Sequence, residues 1–182
     1  MSVTHLKGHV SRAMDFYNKP DVYFGIGKPT AWTEADRTTA TPTTTVIGES
    51  YPPTPTNTDE LIDPIAYKKV ESIFLVRPDP SGELTYRNTK WKIVSYADAL
   101  SQGARWVYIS TFLSYSELPT DIVYRQIAAY TRLVKQVSVP IGQYVLLPGE
   151  VTDPGIIEVI DNRKPVYRDP DQREQLVLIV EF

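Results

Sequence analysis

The side chains able to do chemistry are few, and their spacing serves it badly. His5 and His9 are the only imidazoles in the chain and lie four residues apart. On a helix they would share a face, but zinc would need a third ligand, with Asp15 the nearest carboxylate. Two surface histidines on a terminal segment account for the pair without a metal. The chain has no cysteine, which excludes disulfides, thiolate ligands and a cysteine nucleophile. A serine triad would have to borrow His5 or His9, and no serine stands in a glycine elbow. Carboxylates cluster at Asp59, Glu60 and Asp63, at Asp79 and Glu83, and at Asp169, Asp171 and Glu174. All three groups flank Pro or Gly turns, where Asp bonds its own backbone. None has the alternating ligand order and closing Glu of a calcium loop. Gly25-Ile26-Gly27-Lys28-Pro29-Thr30 resembles a phosphate loop only faintly. Val22 stands where the first glycine is needed and Pro29 where a Ser or Thr must follow the lysine. The expectation is a chain with no catalytic residue, no metal, no cofactor and no small-molecule substrate.

Composition narrows the class further. The 182 residues are 42% hydrophobic and 23% charged, enough to bury a core as a single domain spanning 1–182. A net charge of -3 with scattered Lys and Arg argues against a nucleic-acid surface. No apolar run approaches membrane length and the N-terminus lacks a signal-peptide core, so no membrane partner is expected. A soluble protein kept inside a cell, or assembled there into something larger, fits these features. Twelve tyrosines suit either partly wet interfaces or plain β-core packing.

The elements that must position any site are mostly strands. The chain is organised around FYNKPDVYFGIGKPTAW at 16–32, with five aromatics: Phe16, Tyr17, Tyr23, Phe24 and Trp32. It begins as the end of a helix over Val10, Ala13, Met14 and Tyr17, capped at Ser11 because Gly8 disfavours an earlier start. It continues as the strand 22–27, where Gly25 and Gly27 predict a bulge or a close backbone approach. Further strands are expected at 70–76, 84–86, 91–96, 106–113 and 143–147. The turn Asp79-Pro80-Ser81-Gly82 would return 84–86 antiparallel, and a short helix at 96–102 would end at Gly103. Residues 106–113 carry no breaker and read as a central strand. The run 121–139 fits a helix or a strand equally. The tail reads as a hairpin-like pair, 156–160 turning into 161–167, followed by a second turn at 168–172 and a last strand at 175–182. That last strand puts the C-terminus in a sheet, so losing its final three residues should harm folding. The fold class expected is mainly β, an antiparallel β-sandwich-like domain with a short N-terminal helix and long extended loops.

Residues 38–58 hold nine threonines and four prolines, a composition with stiff, donor-poor backbone and little to bury. The segment 33–60 is either a disordered spacer or an extended arm lying across a neighbour, touching it through Val46-Ile47 and Tyr51-Pro52-Pro53. Arg125-Gln126, Asn162-Arg163-Lys164 and Arg168 are either interface polar groups or exposed turn residues.

Several of these stretches together resemble a known family. FYN at 16–18, YFGIGKPTAW at 23–32, YPP at 51–53, YRQI at 124–127 and the closing IEVIDNRKPVYRDPDQREQLVLIVEF from 157 look like the baseplate wedge protein of contractile-tailed, T4-related bacteriophages. That protein is a dimeric outer-wedge subunit. The closing part is the most specific, with an Asn-Arg-x-Pro-hydrophobic unit, an Asp/Gln-rich turn and a last strand ending in Phe. The resemblance implies a β-rich structural component of the virion tail baseplate, assembled in the host cytoplasm. Its partners would be a second copy and other baseplate wedge proteins. The resemblance also implies that YRQIAAYT is a strand. Arg125, Gln126, Asn162, Arg163 and Pro165 carry over as turn or interface architecture, with Phe16, Tyr17, Tyr23, Phe24, Trp32 and Tyr51 as further candidates. The rival readings are another tail or neck structural protein, or a carbohydrate-binding module presenting exposed Tyr and Trp.

Overall fold

The computed structural model describes residues 3–114, 117–118, 122–168 and 173–182. The fold is mainly β, with antiparallel pairing within its sheets and one short N-terminal helix. The chain divides into two compact units: Met1–Pro20, Val70–Phe112 and Gln175–Phe182 form the first, Asp21–Lys69 and Leu113–Glu174 the second. The aromatic stretch 16–32 therefore straddles a unit boundary at Pro20, with its helical part in one unit and its strand in the other.

The first unit begins with α1 (Leu6–Tyr17), which starts before Gly8 rather than at Ser11. His5 is its N-cap: the imidazole Nδ1 accepts from the Lys7 N–H at 3.2 Å, and this satisfied end offsets the cost of one glycine. Val10, Ala13 and Phe16 form its buried stripe, and Phe16 meets the Phe182 ring at a centroid distance of 5.3 Å.

The unit's sheet uses β3 (Ser72–Pro78), β4 (Leu84–Tyr86), β5 (Thr89–Ile93), β6 (Trp106–Leu113) and β12 (Glu174–Glu181), in the order β12-β6-β3-β5-β4. Alternate residues build one apolar face: Phe74 and Val76, Leu84 and Tyr86, Trp91 and Ile93, Trp106 and Tyr108, Val177 and Ile179. Here 84–86 does not return onto β3. It pairs with β5 through the two-residue turn Arg87-Asn88, both at positive φ (46° and 62°), and β5 takes the place beside β3. The helix α2 (Ala99–Gln102) stops at Gly103, whose φ of 66° is left-handed. The last residue is held to the sheet, since the Phe182 N–H donates to the Arg105 carbonyl at 3.1 Å.

The second unit contains a five-stranded sheet in the order β11-β7-β1-β2-β9, from β1 (Val22–Gly27), β2 (Ala66–Lys69), β7 (Val123–Thr131), β9 (Val145–Leu146) and β11 (Ile156–Tyr167). A two-stranded ribbon joins β8 (Val134–Lys135) to β10 (Val151–Asp153). The ambiguous run resolves as β7, flanked by β1 and β11 and buried from Tyr124 to Thr131. Its alternation was hidden because the strand is buried from Tyr124 to Thr131, so both sets of alternate residues are covered. The tail is not a hairpin. β11 is one continuous strand paired with β7, while β12 belongs to the other unit's sheet. Most of the expected turn at 168–172 lies outside the described residues.

Two register shifts explain why β11 misled. Ile157 faces Tyr130 and Ile160 faces Ala128, so an extra residue lets both isoleucines reach the same core as Tyr23, Leu61 and Tyr67. Between Asn162 and Val166 the strand bulges again, and Pro165, with no N–H to give, sits in that bulge.

No bulge interrupts β1; its glycines serve close approach. A Cβ on Gly27 would lie 2.7 Å from the Ile62 carbonyl and 2.8 Å from Leu61. Gly27→Ala is expected to destabilise the protein by about 1–3 kcal/mol, read as a lower midpoint in urea; an unchanged midpoint would refute the steric account. Removal of Val180–Phe182 should lower the melting temperature sharply, because Val180 is buried and Phe182 packs on Phe16. A truncated chain that melts like the parent would show that these contacts are dispensable.

Candidate functional site

The Thr/Pro-rich segment is fastened by side chains of β7 and β11 and by the backbone of β1. It leaves β1 through Lys28, a buried lysine at φ 57° whose N–H donates to the Ile62 carbonyl at 2.6 Å. The Ile65 N–H donates to the Ile26 carbonyl at 2.7 Å, so the two ends of the excursion are stitched together.

Inside this closed neck, polar side chains do the holding. Arg125 and Gln126 are consecutive on β7 and point to opposite faces of the strand. Arg125 Nε donates to both Glu49 oxygens at 3.1 and 3.0 Å, and its Nη1 donates to the Pro29 carbonyl. Gln126, 1% exposed, accepts from the Ile62 N–H at 2.8 Å and donates to Asn162 Oδ1 at 2.8 Å. Asn162, its cross-strand partner on β11, donates to the Pro53 carbonyl at 3.0 Å. The bulge after Asn162 leaves the Arg163 carbonyl to accept from the Trp32 indole at 2.8 Å.

The arm is also knotted to itself. Lys28 Nζ donates to Asp36 at 2.9 Å and lies 5.3 Å from the centre of the Trp32 ring. Glu34 accepts from the Ile47 N–H at 2.7 Å and from Arg37, which also donates to the Pro42 and Thr45 carbonyls. Thr38 Oγ1 donates to the Thr54 carbonyl at 2.8 Å. Thr/Pro composition thus encodes an ordered strap whose carbonyls are met by side chains instead of a ladder.

The strap has two sides. Ile47 and Pro53 are buried, whereas Val46 (74% exposed) and Tyr51 (64%) face solvent. Of the candidate residues, Trp32, Arg125, Gln126, Asn162 and Arg163 converge on the strap and Tyr51 rides on it. Tyr23 and Phe24 are buried in β1, and Pro165 is half-buried in the bulge. Phe16 and Tyr17 belong to the first unit, where Tyr17 stacks at 6.0 Å on Tyr96. Trp32 is buried, so it offers no platform for a sugar ring. Sequence reading missed Lys28, Glu34, Asp36, Arg37 and Glu49. The signal was there in charges flanking a Thr/Pro run, which needs donors and acceptors from outside itself.

Among the described residues, clefts border the strap. One of about 560 Å³ is lined by Asp59, Glu60, Leu61, Tyr67, Tyr130 and Ile157, among others. The others hold about 260 Å³ beside Trp32, Arg37 and Asn162, and about 410 Å³ between Pro55–Asp59 and Ile157–Ile160. Asp59 accepts from the Thr56 N–H and hydroxyl, and Asp79, in the first unit, from those of Ser81, as turn carboxylates do. Burial pushes the Tyr130 phenol up, reinforced by Tyr67 and Glu60, and burial with Glu174 does the same to Tyr124. Both phenols stay neutral. Among the described residues no three His, Asp or Glu gather as a metal site, and no described helix is long and apolar enough to cross a membrane.

These bonds hold the strap in one arrangement on the sheet. Comparison with known sequences gives the family. The family of the baseplate wedge 3 tail fiber network component matches residues 1–182. Virion protein 3 of Enterococcus phage phiEF24C is 30% identical over 190 residues, covering 100% of this chain and 96% of that protein. The chain belongs to the baseplate wedge 3 tail fiber network component family, and its role is structural, in a phage tail baseplate.

The strap's ion pairs set a pH dependence. The Ile47 N–H and then Arg37 hold the Glu34 carboxyl below its usual range. Burial works against the charge on Asp36, but Lys28 and Thr33 together outweigh it, so Asp36 is lowered too. A carboxyl depressed in the folded state stabilises it above the ordinary value, and that contribution fades as pH falls through the depressed one. The strap should therefore be firm from neutral pH down to about pH 4 and loosen below it. The Trp32 indole resonance, followed by NMR from pH 7 to pH 3, should begin to broaden and exchange before the strands melt. Simultaneous loss of strap and strands would count against this.

Proposed function

We propose that the chain acts without catalysis, as a spacer and contact part of the wedge that pairs with a second copy and binds other wedge proteins. On this reading it enters the virion during assembly in the host cytoplasm. The observation that carries it is the strap: its inner side is bonded to β7 and β11 residue by residue, while Val46 and Tyr51 project outward. A loop fixed on one side, with Val46 and Tyr51 exposed among threonines on the other, is already shaped for a neighbour, so little ordering cost remains on binding. Trp32, Arg125, Gln126, Asn162 and Arg163 are then the fastening residues, Pro165 shapes the bulge that frees the Arg163 carbonyl, and Tyr51 is a contact residue. Phe16, Tyr17, Tyr23 and Phe24 are architectural.

The test mixes the protein with its neighbouring tail proteins and measures complexes by size and mass. Trp32→Ala removes both the indole bond to Arg163 and the ring beneath Lys28. It should loosen the strap and weaken assembly more than it lowers the melting temperature. A Trp32→Ala protein that assembles normally would remove the strap from the mechanism. A parent protein that stays monomeric and binds no tail protein would overturn the assembly reading itself.

A further inference from the structure

The strap is not the most exposed apolar feature of the second unit. Between β8 and β10 the chain runs from Gln136 to Gly149 without a single charged residue. Val134, Val137, Ile141, Tyr144 and Leu147 along it are all exposed, Val137 and Ile141 completely. Five exposed large apolar side chains within fourteen residues exceed the single scattered ones that a monomer's surface ordinarily carries.

This loop is held in shape. Lys135 Nζ donates to the Gln143 carbonyl at 2.8 Å, and Gln143 Nε2 donates to the Val145 carbonyl at 2.8 Å and to Glu150 at 2.9 Å. The Gln136 N–H donates to the Glu150 carbonyl at 2.9 Å and the Val139 N–H to the Gln136 carbonyl at 3.0 Å. Val139 packs on the core around Tyr67 and Tyr130. Each polar group named here is spent on holding the loop, while the apolar tips receive no cover from the fold.

We infer that residues 134–147 form a preformed apolar ridge that inserts into an apolar groove on a different protein of the particle; the inference rests on the assembly reading. A second copy is the poorer occupant. The clefts beside the strap are rimmed by Asp59, Glu60, Asp36, Arg37 and threonines, which an apolar ridge would strip of water without pairing. A lipid surface is poorer too, because the one cation of the segment, Lys135, is turned onto Gln143, and no tryptophan stands among the tips.

The test places a photo-crosslinking amino acid at position 137 of the full chain during particle assembly, beside a Val137→Ser/Ile141→Ser double variant. Crosslinking to a different, identified tail protein is expected. The double variant should enter particles about tenfold less well or worse, at an unchanged melting temperature, since both side chains are fully exposed. Crosslinks confined to a second copy, normal incorporation of the double variant, or flotation with phosphatidylcholine/phosphatidylglycerol vesicles that the double variant loses would each overturn the ridge while leaving the assembly reading intact. Failure of the parent chain itself to enter particles would overturn both.

Discussion

The relay of amides through Gln126 is the interaction on which the second unit depends. A glutamine side chain in the middle of a buried strand would cost about 1–3 kcal/mol if unpaired. Here one end receives the Ile62 N–H and the other continues through Asn162 to the Pro53 carbonyl. The arrangement works in both directions. The strap satisfies the buried amide, and the buried amide fixes where the strap returns to the sheet. Arg125, the preceding residue, binds the outgoing part of the same excursion at Pro29 and Glu49. Two adjacent positions on one strand thus hold both ends of a thirty-odd-residue detour, which explains how so proline-rich a segment stays ordered without a ladder.

Close backbone approach is the companion constraint. Gly27 lets the Ile62 carbonyl come within 2.7 Å of where a side chain would begin, and the Leu61 side chain fills the space beside it. The bulges in β11 complete the fit. One turns Ile157 and Ile160 onto a common face; the other spends Pro165 where no donor is needed and turns the Arg163 carbonyl toward Trp32.

How far the sequence revealed this depended on whether a rule of period two applied. In the first unit it did. Trp91 and Ile93, or Trp106 and Tyr108, alternate because one apolar face is shared across five strands. The hairpin at Arg87-Asn88 escaped notice because an arginine at positive φ carries no turn signature, and the nearby Asp-Pro-Ser-Gly turn drew the strand pairing to itself. In the second unit the period failed twice. β7 is buried on both faces, so its alanines read as helix. β11 changes face at a bulge, so a single strand read as two. The family resemblance implied a strand at β7, where local pattern left helix and strand open. Of the candidate residues, Trp32, Arg125, Gln126, Asn162 and Arg163 meet at the strap, and the partners that hold them there were not legible. Gln126 and Asn162 are thirty-six residues apart in sequence and meet only through register.

The same economy governs how a baseplate part meets its neighbours. Subunits of a large assembly gain most when their contact surfaces are rigid beforehand, because each side chain ordered on binding subtracts about 0.5–1.5 kcal/mol from affinity. Both exposed apolar features of the second unit obey this rule by one device. In the strap and in the loop from Val134 to Leu147, several polar side chains are turned inward onto backbone carbonyls and N–H groups, and large apolar side chains stand exposed among polar ones. The shape of each contact surface is thereby written into the subunit's own fold before any partner arrives.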